Sequence, residues 1–173
     1  PQQMTNRSDR PALIEGAPGR PRVTPGKDPA RPGEYDYWDH LDWLVARAEA
    51  LGLYLALVPA WGSLADEGAL NDRNAPLYGR FLAERYRDHS NIVWLNGGDT
   101  RSEMRSTVWE SLGATIKRHD PGHLMTFHPI GRTASSWQFH TAPWLDFNMV
   151  QSGHRSYAQE GPSARAEDNW RFI

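Results

Sequence analysis

The 173-residue sequence contains no cysteine. This absence excludes a disulfide framework, a thiolate zinc site and a cysteine nucleophile, and it is compatible with either redox compartment. The sequence also lacks a run of 18 apolar residues, and its first residues lack the apolar stretch of a signal peptide. We therefore predict no contact with a membrane and leave the cellular compartment open.

The sequence also lacks a large excess of charge of one sign. The 19 basic and 21 acidic residues give a formal net charge of -2 and a pI near 6.4, without the basic surface that nucleic acids or anionic membranes select. No G-x-G-x-x-G or G-x-x-x-x-G-K-[ST] phosphate-binding motif is present. The G-x-S-x-G elbow of serine hydrolases is missing too. Nucleic acid is therefore not an expected partner, and a serine triad is disfavoured.

Proline and glycine are concentrated at the beginning. Residues 1–33 hold seven of the 13 prolines and four glycines, so no long helix or strand can persist there. We interpret 1–33 as a Pro/Gly-rich loop or tail and 34–173 as part of a single catalytic domain.

Downstream of this segment, hydrophobic periodicity predicts an alternation of helices and strands. Helices are expected at 36–51, 75–87 and 103–117, and strands at 53–58, 92–96, 123–128 and 145–150. Strands that alternate with amphipathic helices pair in parallel through right-handed crossovers. The sequence therefore predicts an α/β fold.

Functional side chains follow several successive strands, which is typical of a TIM barrel and not of a doubly wound sheet. Four predicted strand ends carry Trp61, Asn96 with Asp99, His128, and Gln151 with His154. A complete barrel has eight strands and about 250 residues. We therefore predict a partial (β/α)8 barrel with about four central strands, truncated at both ends.

Asp99 is the candidate centre of the chemistry. Residues 91–99 form a short apolar run that stops at Gly97, Gly98 and Asp99, the pattern of a buried strand that delivers an acid to its C-terminal end. The alternative is that Asp99 or Thr100 only caps the helix expected near Glu103.

Glycoside hydrolysis is the reaction that suits Asp99 best, because it needs a carboxylic acid to protonate the leaving oxygen. If the tryptophan-rich strand ends bury Asp99, loss of solvation favours its protonated form, and Asn96 could hold a sugar hydroxyl. A metal-dependent hydrolase is the rival, with Asp99, His128, His140 and His154 as ligands. None of these three histidines lies two or four residues from another, so we predict no metal and no other cofactor.

Five motifs follow one another over about residues 34–154. They are Tyr37-x-x-His40-Leu41-Asp42-Trp43, Pro59-x-Trp61-Gly62, Trp94-x-x-Gly97-Gly98-Asp99, Leu124-Met125-Thr126-Phe127-His128-Pro129 and Trp144-Leu145-Asp146-Phe147-Asn148-Met149-x-Gln151-Ser152-Gly153-His154. Together they resemble the apiosidase-like glycoside hydrolases, which are bacterial (β/α)8 enzymes related to the clan A retaining glycosidases.

The resemblance implies a retaining double displacement on a plant-type oligosaccharide or polysaccharide, with Asp99 as general acid/base. It implies a glutamate nucleophile after a later strand, which we do not find before Ile173. The wider clan ends this strand in Asn-Glu, whereas here two glycines separate Asn96 from Asp99. The residues expected to line the sugar site are Trp61, Asn96, His128, Trp137, His140, Gln151 and His154.

Other interpretations remain open. His128, Gln151 and His154 can equally serve to tie strand ends together, and the chain can bind a glycan without cleaving it. Asp146 is expected to be a structural acid, paired with an arginine or a backbone amide. Half a barrel exposes strand edges and apolar faces, so we expect self-association. The family is compatible with a periplasmic or secreted location.

Overall fold

The computed structural model of the chain describes residues 5, 9–31, 33–101 and 105–152. The helices are α1 (Tyr37–Ala50), α2 (Gly62–Asp66), α3 (Ala75–Tyr86), α4 (Ser106–His119) and α5 (Ser136–Phe139). The strands are β1 (Leu55–Leu57), β2 (Ile92–Thr100), β3 (Met125–Pro129), β4 (Thr133–Ala134) and β5 (Val150–Gln151).

Strands β1, β2 and β3 form a parallel sheet in chain order. Leu57 pairs with Trp94, and Trp94 pairs with Met125. Helices α3 and α4 form the crossovers, and they pack closely because Gly79 of α3 lies against Leu112 of α4. The α/β class is therefore confirmed, and each C-terminal strand end lies at the same edge of the sheet.

Helix α1 shows why the first predicted helix begins and ends where it does. The Asp36 side chain accepts hydrogen bonds from the backbone N–H groups of Trp38 and Asp39. The Asp39 carboxylate in turn accepts from the Asp36 N–H, which completes a capping box. At the other end, Gly52 has a φ of +68°, and Leu53 N donates to Ala48 O at 2.9 Å. These are the features of a glycine-terminated helix.

The core lies between the sheet and its helices. Trp38, Trp94, Trp109 and Trp144 are each at most 2% exposed. The opposite face of β1 is open, because Tyr54 is 73% exposed and Val58 is 38% exposed. In the described part of the chain, β1 is thus covered on one face only, whereas β3 is buried on both faces, since Met125, Thr126 and Phe127 are fully buried.

The first 33 residues contribute to this core. Residues 9–31 contain one 3₁₀ turn, Ile14–Gly16. Ala12 and Leu13 are buried, and Trp38 Nε1 donates to Ala12 O at 2.9 Å. Thr24 N donates to Asp36 at 2.6 Å. The segment therefore packs against α1 instead of extending into solvent.

The prediction of a strand at 145–150 is wrong for most of that range. Asp146 replaces regular pairing with side-chain bonds: its carboxylate accepts from Met125 N at 2.7 Å and from Lys117 Nζ at 2.7 Å. Only Val150–Gln151 forms a strand, and it pairs antiparallel with Thr133–Ala134. The expectation of a structural role for Asp146 is confirmed, with lysine as the charged partner in place of arginine.

A buried polar network closes the N-terminal end of the sheet. Asp120 accepts from Trp94 Nε1 at 2.8 Å and contacts His123 Nδ1 at 2.7 Å, and His123 Nε2 contacts His89 O. These groups satisfy one another away from the C-terminal strand ends, so they contribute to stability and not to the candidate site.

Candidate active site

The end of β2 is a bulge that turns Asp99 out of the sheet. Gly97, Gly98 and Asp99 have φ values of +81°, +156° and +45°. Pairing with β3 is regular up to Gly97 opposite His128, and it resumes only at Thr100 opposite Pro129. The irregular stretch between these pairs projects Asp99 toward the C-terminal edge.

Both glycines of the bulge are required by space as well as by conformation. A Cβ atom on Gly97 would overlap the Phe127 ring, and a Cβ atom on Gly98 would overlap the Trp61 indole. The backbone beside Asp99 is therefore packed directly against two aromatic rings. This packing sets the position of the carboxylate.

Trp61 reaches the bulge from the end of β1. It directly precedes α2, and the preceding turn is held because Tyr78 Oη donates to Pro59 O at 2.9 Å. Burial raises the pKa of Tyr78 well above its ordinary value, so its hydroxyl stays a donor. Trp61 remains 45% exposed, and its ring lies 5.4 Å from the His128 ring.

His128 lies at the end of β3, opposite Gly97. Asp99 N donates to His128 Nδ1 at 3.4 Å. Because Nδ1 is the acceptor of this long bond, the neutral imidazole carries its proton on Nε2. His128 can therefore present a donor to a ligand beside Asp99.

Gln151 makes a direct contact with the candidate acid. Its Nε2 donates to Asp99 Oδ1 at 2.8 Å, and its side chain is buried. The antiparallel pairing of β4 and β5 holds it, with Arg132 N donating to Gln151 O at 2.6 Å. We call Asp99, Trp61, His128 and Gln151 the Asp99 cluster.

Two sequence-based expectations about Asp99 need correction. Asp99 is exposed, so the burial among tryptophans that the sequence suggested is not found, and Trp61 lies against the backbone of Gly98. Asp99 also does not cap the next helix: it lies within β2, and the residue before α4 is Arg105, which makes no side-chain capping bond.

The structure does not bring every predicted site residue to the Asp99 cluster. Asn96 is fully buried, and its Nδ2 donates to Trp109 O of α4 at 2.9 Å, on the helix side of the sheet. Trp137 and His140 are exposed on and just after α5. The structure records no ring contact or hydrogen bond between either residue and the cluster. His154 lies outside the described residues.

The described residues include neither a cluster of metal ligands nor a helix that could span a membrane. Within 9–31, 33–101 and 105–152, no group of three His, Cys, Asp or Glu side chains is arranged to hold a metal ion. None of the described helices combines the length and apolar character needed to cross a bilayer.

The hydrogen bond between Gln151 and Asp99 is the feature of the site that the sequence did not predict. The two residues are 52 positions apart, and the two-residue strands β4 and β5 carry no periodicity. A second acid, Asp66 at the end of α2, accepts from Thr100 Oγ1 at 3.4 Å.

Comparison with known proteins gives a consistent picture. A sequence profile described as the apiosidase-like catalytic domain matches residues 3–173. No curated protein matches the chain.

Two solved structures are similar to the chain over nearly its whole length. One is described as a glycoside hydrolase family 5 protein from Bacteroides vulgatus, with 44% identity and a TM-score of 0.84, covering 98% of this chain and 36% of its own. The other is described as a glycoside hydrolase, with 42% identity and a TM-score of 0.81, covering 99% of this chain and 38% of its own. The chain thus spans little more than a third of each. The predicted partial TIM barrel is confirmed, with three parallel strands among the described residues in place of the predicted four.

Proposed function

Since the chain belongs to the apiosidase-like catalytic domain family, we propose that the intact protein hydrolyses a glycosidic bond in a plant-type oligosaccharide or polysaccharide. The observation that carries the proposal is the placement of Asp99. A bulge presents this acid at a C-terminal strand end, and Gln151 fixes one carboxylate oxygen at 2.8 Å. Catalytic acids of (β/α)8 enzymes occupy such positions.

The proposed reaction is a retaining double displacement. Asp99 gives its proton to the glycosidic oxygen while a glutamate attacks the anomeric carbon, so the C–O bond to the leaving group breaks as a glycosyl–enzyme bond forms. Asp99 then removes a proton from water, which attacks the anomeric carbon and releases the glutamate. We place this glutamate on a later strand of the intact protein.

Exposed and half-buried groups around Asp99 are the proposed substrate contacts. Trp61 offers an apolar ring for stacking on a sugar face, and His128 offers its Nε2–H to a hydroxyl. Trp137 and His140 are further candidates, because α5 holds them in the loop that follows β3 and leaves them exposed. Gln151 is assigned here mainly to Asp99.

The proposal is tested by incubating the intact protein with plant oligosaccharides and following the anomeric signals by NMR. The expected result is cleavage with the first product in the substrate's own anomeric configuration. Inverted product would overturn the retaining mechanism. Binding without turnover would support the glycan-binding alternative, and activity lost with chelator and restored by zinc would support a metal-dependent hydrolase.

Gln151→Ala is expected to lower kcat about tenfold on a substrate with a poor leaving group, because Asp99 loses the bond that orients it. KM should change less than kcat, and the loss in kcat/KM, which reports the step that needs the acid, should shrink with an activated leaving group. Gln138→Ala, at an exposed position of α5, is the matched control. A loss in kcat/KM that is the same for both leaving groups would show that Gln151 does not act through the acid.

The open face beside β1 is expected to make this 173-residue chain self-associate when it is produced alone. Tyr54 and Val58 expose apolar surface, and burial of such surface favours association. Sedimentation velocity should show oligomers, and the double variant Tyr54→Ser, Val58→Ser should shift the chain toward monomer. Leu77→Ser on α3, 60% exposed, is the control. A compact wild-type monomer would contradict the expectation.

A further inference from the structure

A second groove lies on the outer side of the fold, away from the Asp99 cluster. It runs between residues 27–29 of the N-terminal segment and the outward face of α1. Its walls include Lys27, Pro29, Tyr35, His40 and Trp43, and none of its lining residues belongs to the Asp99 cluster. We call it the α1 groove.

Trp43 is the main apolar surface of the α1 groove. It is 56% exposed, although the opposite face of α1 packs into the core through Trp38 and Val45. The His40 ring stacks on its indole at a centroid distance of 5.9 Å and an angle of 21°. His40 Nδ1 in turn contacts Tyr35 Oη at 3.1 Å. A ring that is held in this way loses little conformational freedom when a ligand binds to it.

The charged groups of the α1 groove are already matched. Asp42 accepts two 2.8 Å bonds from Arg85 and contacts Lys27 Nζ at 3.4 Å. Asp39 lies 3.6 Å from Arg85. Because each carboxylate faces a cation, the groove offers no surplus charge to an ionic ligand, and phosphate and metal ions are poor candidates.

Tyr35 adds a neutral polar group to the wall. Burial, and then the nearby carboxylates of Asp39, Asp36 and Asp42, raise the pKa of Tyr35 above its ordinary value. Its hydroxyl therefore stays protonated and can exchange hydrogen bonds with another hydroxyl. An exposed indole beside uncharged or paired polar groups is the combination that suits a pyranose or furanose ring, which has apolar faces and a polar edge.

We propose that the α1 groove is a second carbohydrate-binding site, built on Trp43 stacked against His40, which holds a neutral segment of the polysaccharide while the Asp99 cluster acts on another. This inference rests on the proposed glycoside hydrolase function. Two sites on one molecule raise the effective concentration of a polymeric substrate, with no effect on a short one.

The test uses the intact protein with Asp99→Asn, so that the polymer is not degraded, in affinity electrophoresis through gels containing xyloglucan, arabinan or galactomannan. Adding Trp43→Ala is expected to weaken binding to a retained polymer at least about fivefold, as truncation of a central tryptophan commonly does. Adding Leu44→Ala, at a 42% exposed position of the same helix, should leave the retardation unchanged.

Kinetics on the protein with an intact Asp99 separate the two proposals. Trp43→Ala alone should lower the rate on the polymer and leave kcat/KM on a short soluble glycoside within about twofold. Unchanged polymer binding by the Trp43→Ala variant, or no retardation by any of the three polymers, would overturn the groove proposal. If the short glycoside is still cleaved, the proposed function survives that failure.

Discussion

Asp99→Asn in the intact protein is expected to lower kcat by about 10²- to 10⁴-fold on a glycoside with a poor leaving group. The asparagine cannot supply the proton that the departing oxygen needs. It keeps the shape of Asp99 and an oxygen that accepts from Gln151 Nε2, a bond of 2.8 Å in the wild type. The KM should therefore change little, because the site keeps its geometry.

A series of aryl glycosides with leaving groups of decreasing basicity is the measurement that identifies an acid. The variant should approach wild-type rates of glycosyl transfer as the leaving group improves, because a weakly basic oxygen departs without protonation. Asp66→Asn is the matched control, since Asp66 is an exposed acid that contacts Thr100, and it should cost less than about threefold. Unchanged turnover of the poor substrate would contradict the assignment of Asp99.

Local sequence signals predicted the elements that carry this site. The apolar run from Ile92 that stops at Gly97 and Gly98 identified both the strand and the acid after it, because buried strands and glycine breaks are local features. The helix predicted at 36–51 has equally local limits, since Asp36 caps α1 and Gly52 terminates it. The family motifs between residues 34 and 154 predicted the partial barrel, to which the parallel strands β1, β2 and β3 belong.

Long-range pairing could not be predicted in the same way. The hydrogen bond of Gln151 to Asp99 depends on the antiparallel pairing of two strands, β4 and β5. Each has only two residues and is too short to show alternation. The apolar stretch around Phe147 looked like a full strand, but Asp146 bonds to Met125 and Lys117 and interrupts it. Periodicity reports which residues are apolar, and it does not report which backbone groups find side-chain partners.

The burial of Asn96 on the helix-facing side of β2 could have been predicted from the sequence. Residues two apart in a strand point to the same face, so Asn96 shares the face of Trp94, whose tryptophan side chain is buried against the helices. Its buried bond to Trp109 O agrees with this alternation. The bulge after Gly97 breaks the alternation, and this break allows Asp99 to leave the plane of the ladder.

The second large effect is expected at Gly97, which supports the acid without touching substrate. Gly97→Ala should lower the free energy of unfolding of the intact protein by about 3 kcal/mol or more, because the new methyl group both overlaps Phe127 and requires a φ of +81°. Relief of the overlap must move β2 relative to β3. A shift of about 1 Å at Asp99 is enough to cost about 100-fold in kcat.

Two other glycines separate the causes of that loss. Gly52 has a φ of +68° and open space around it. The Gly52→Ala variant should therefore lose only the stability that the unfavourable backbone conformation costs, about 1 kcal/mol. Gly122→Ala has open space and no positive φ, and its stability should change by less than about 0.5 kcal/mol. Chemical denaturation and kcat should be measured on all three. If Gly97→Ala behaves like Gly52→Ala in both, packing of the bulge against Phe127 does not hold Asp99 in place; a further loss confined to Gly97→Ala ties the position of the acid to that ring.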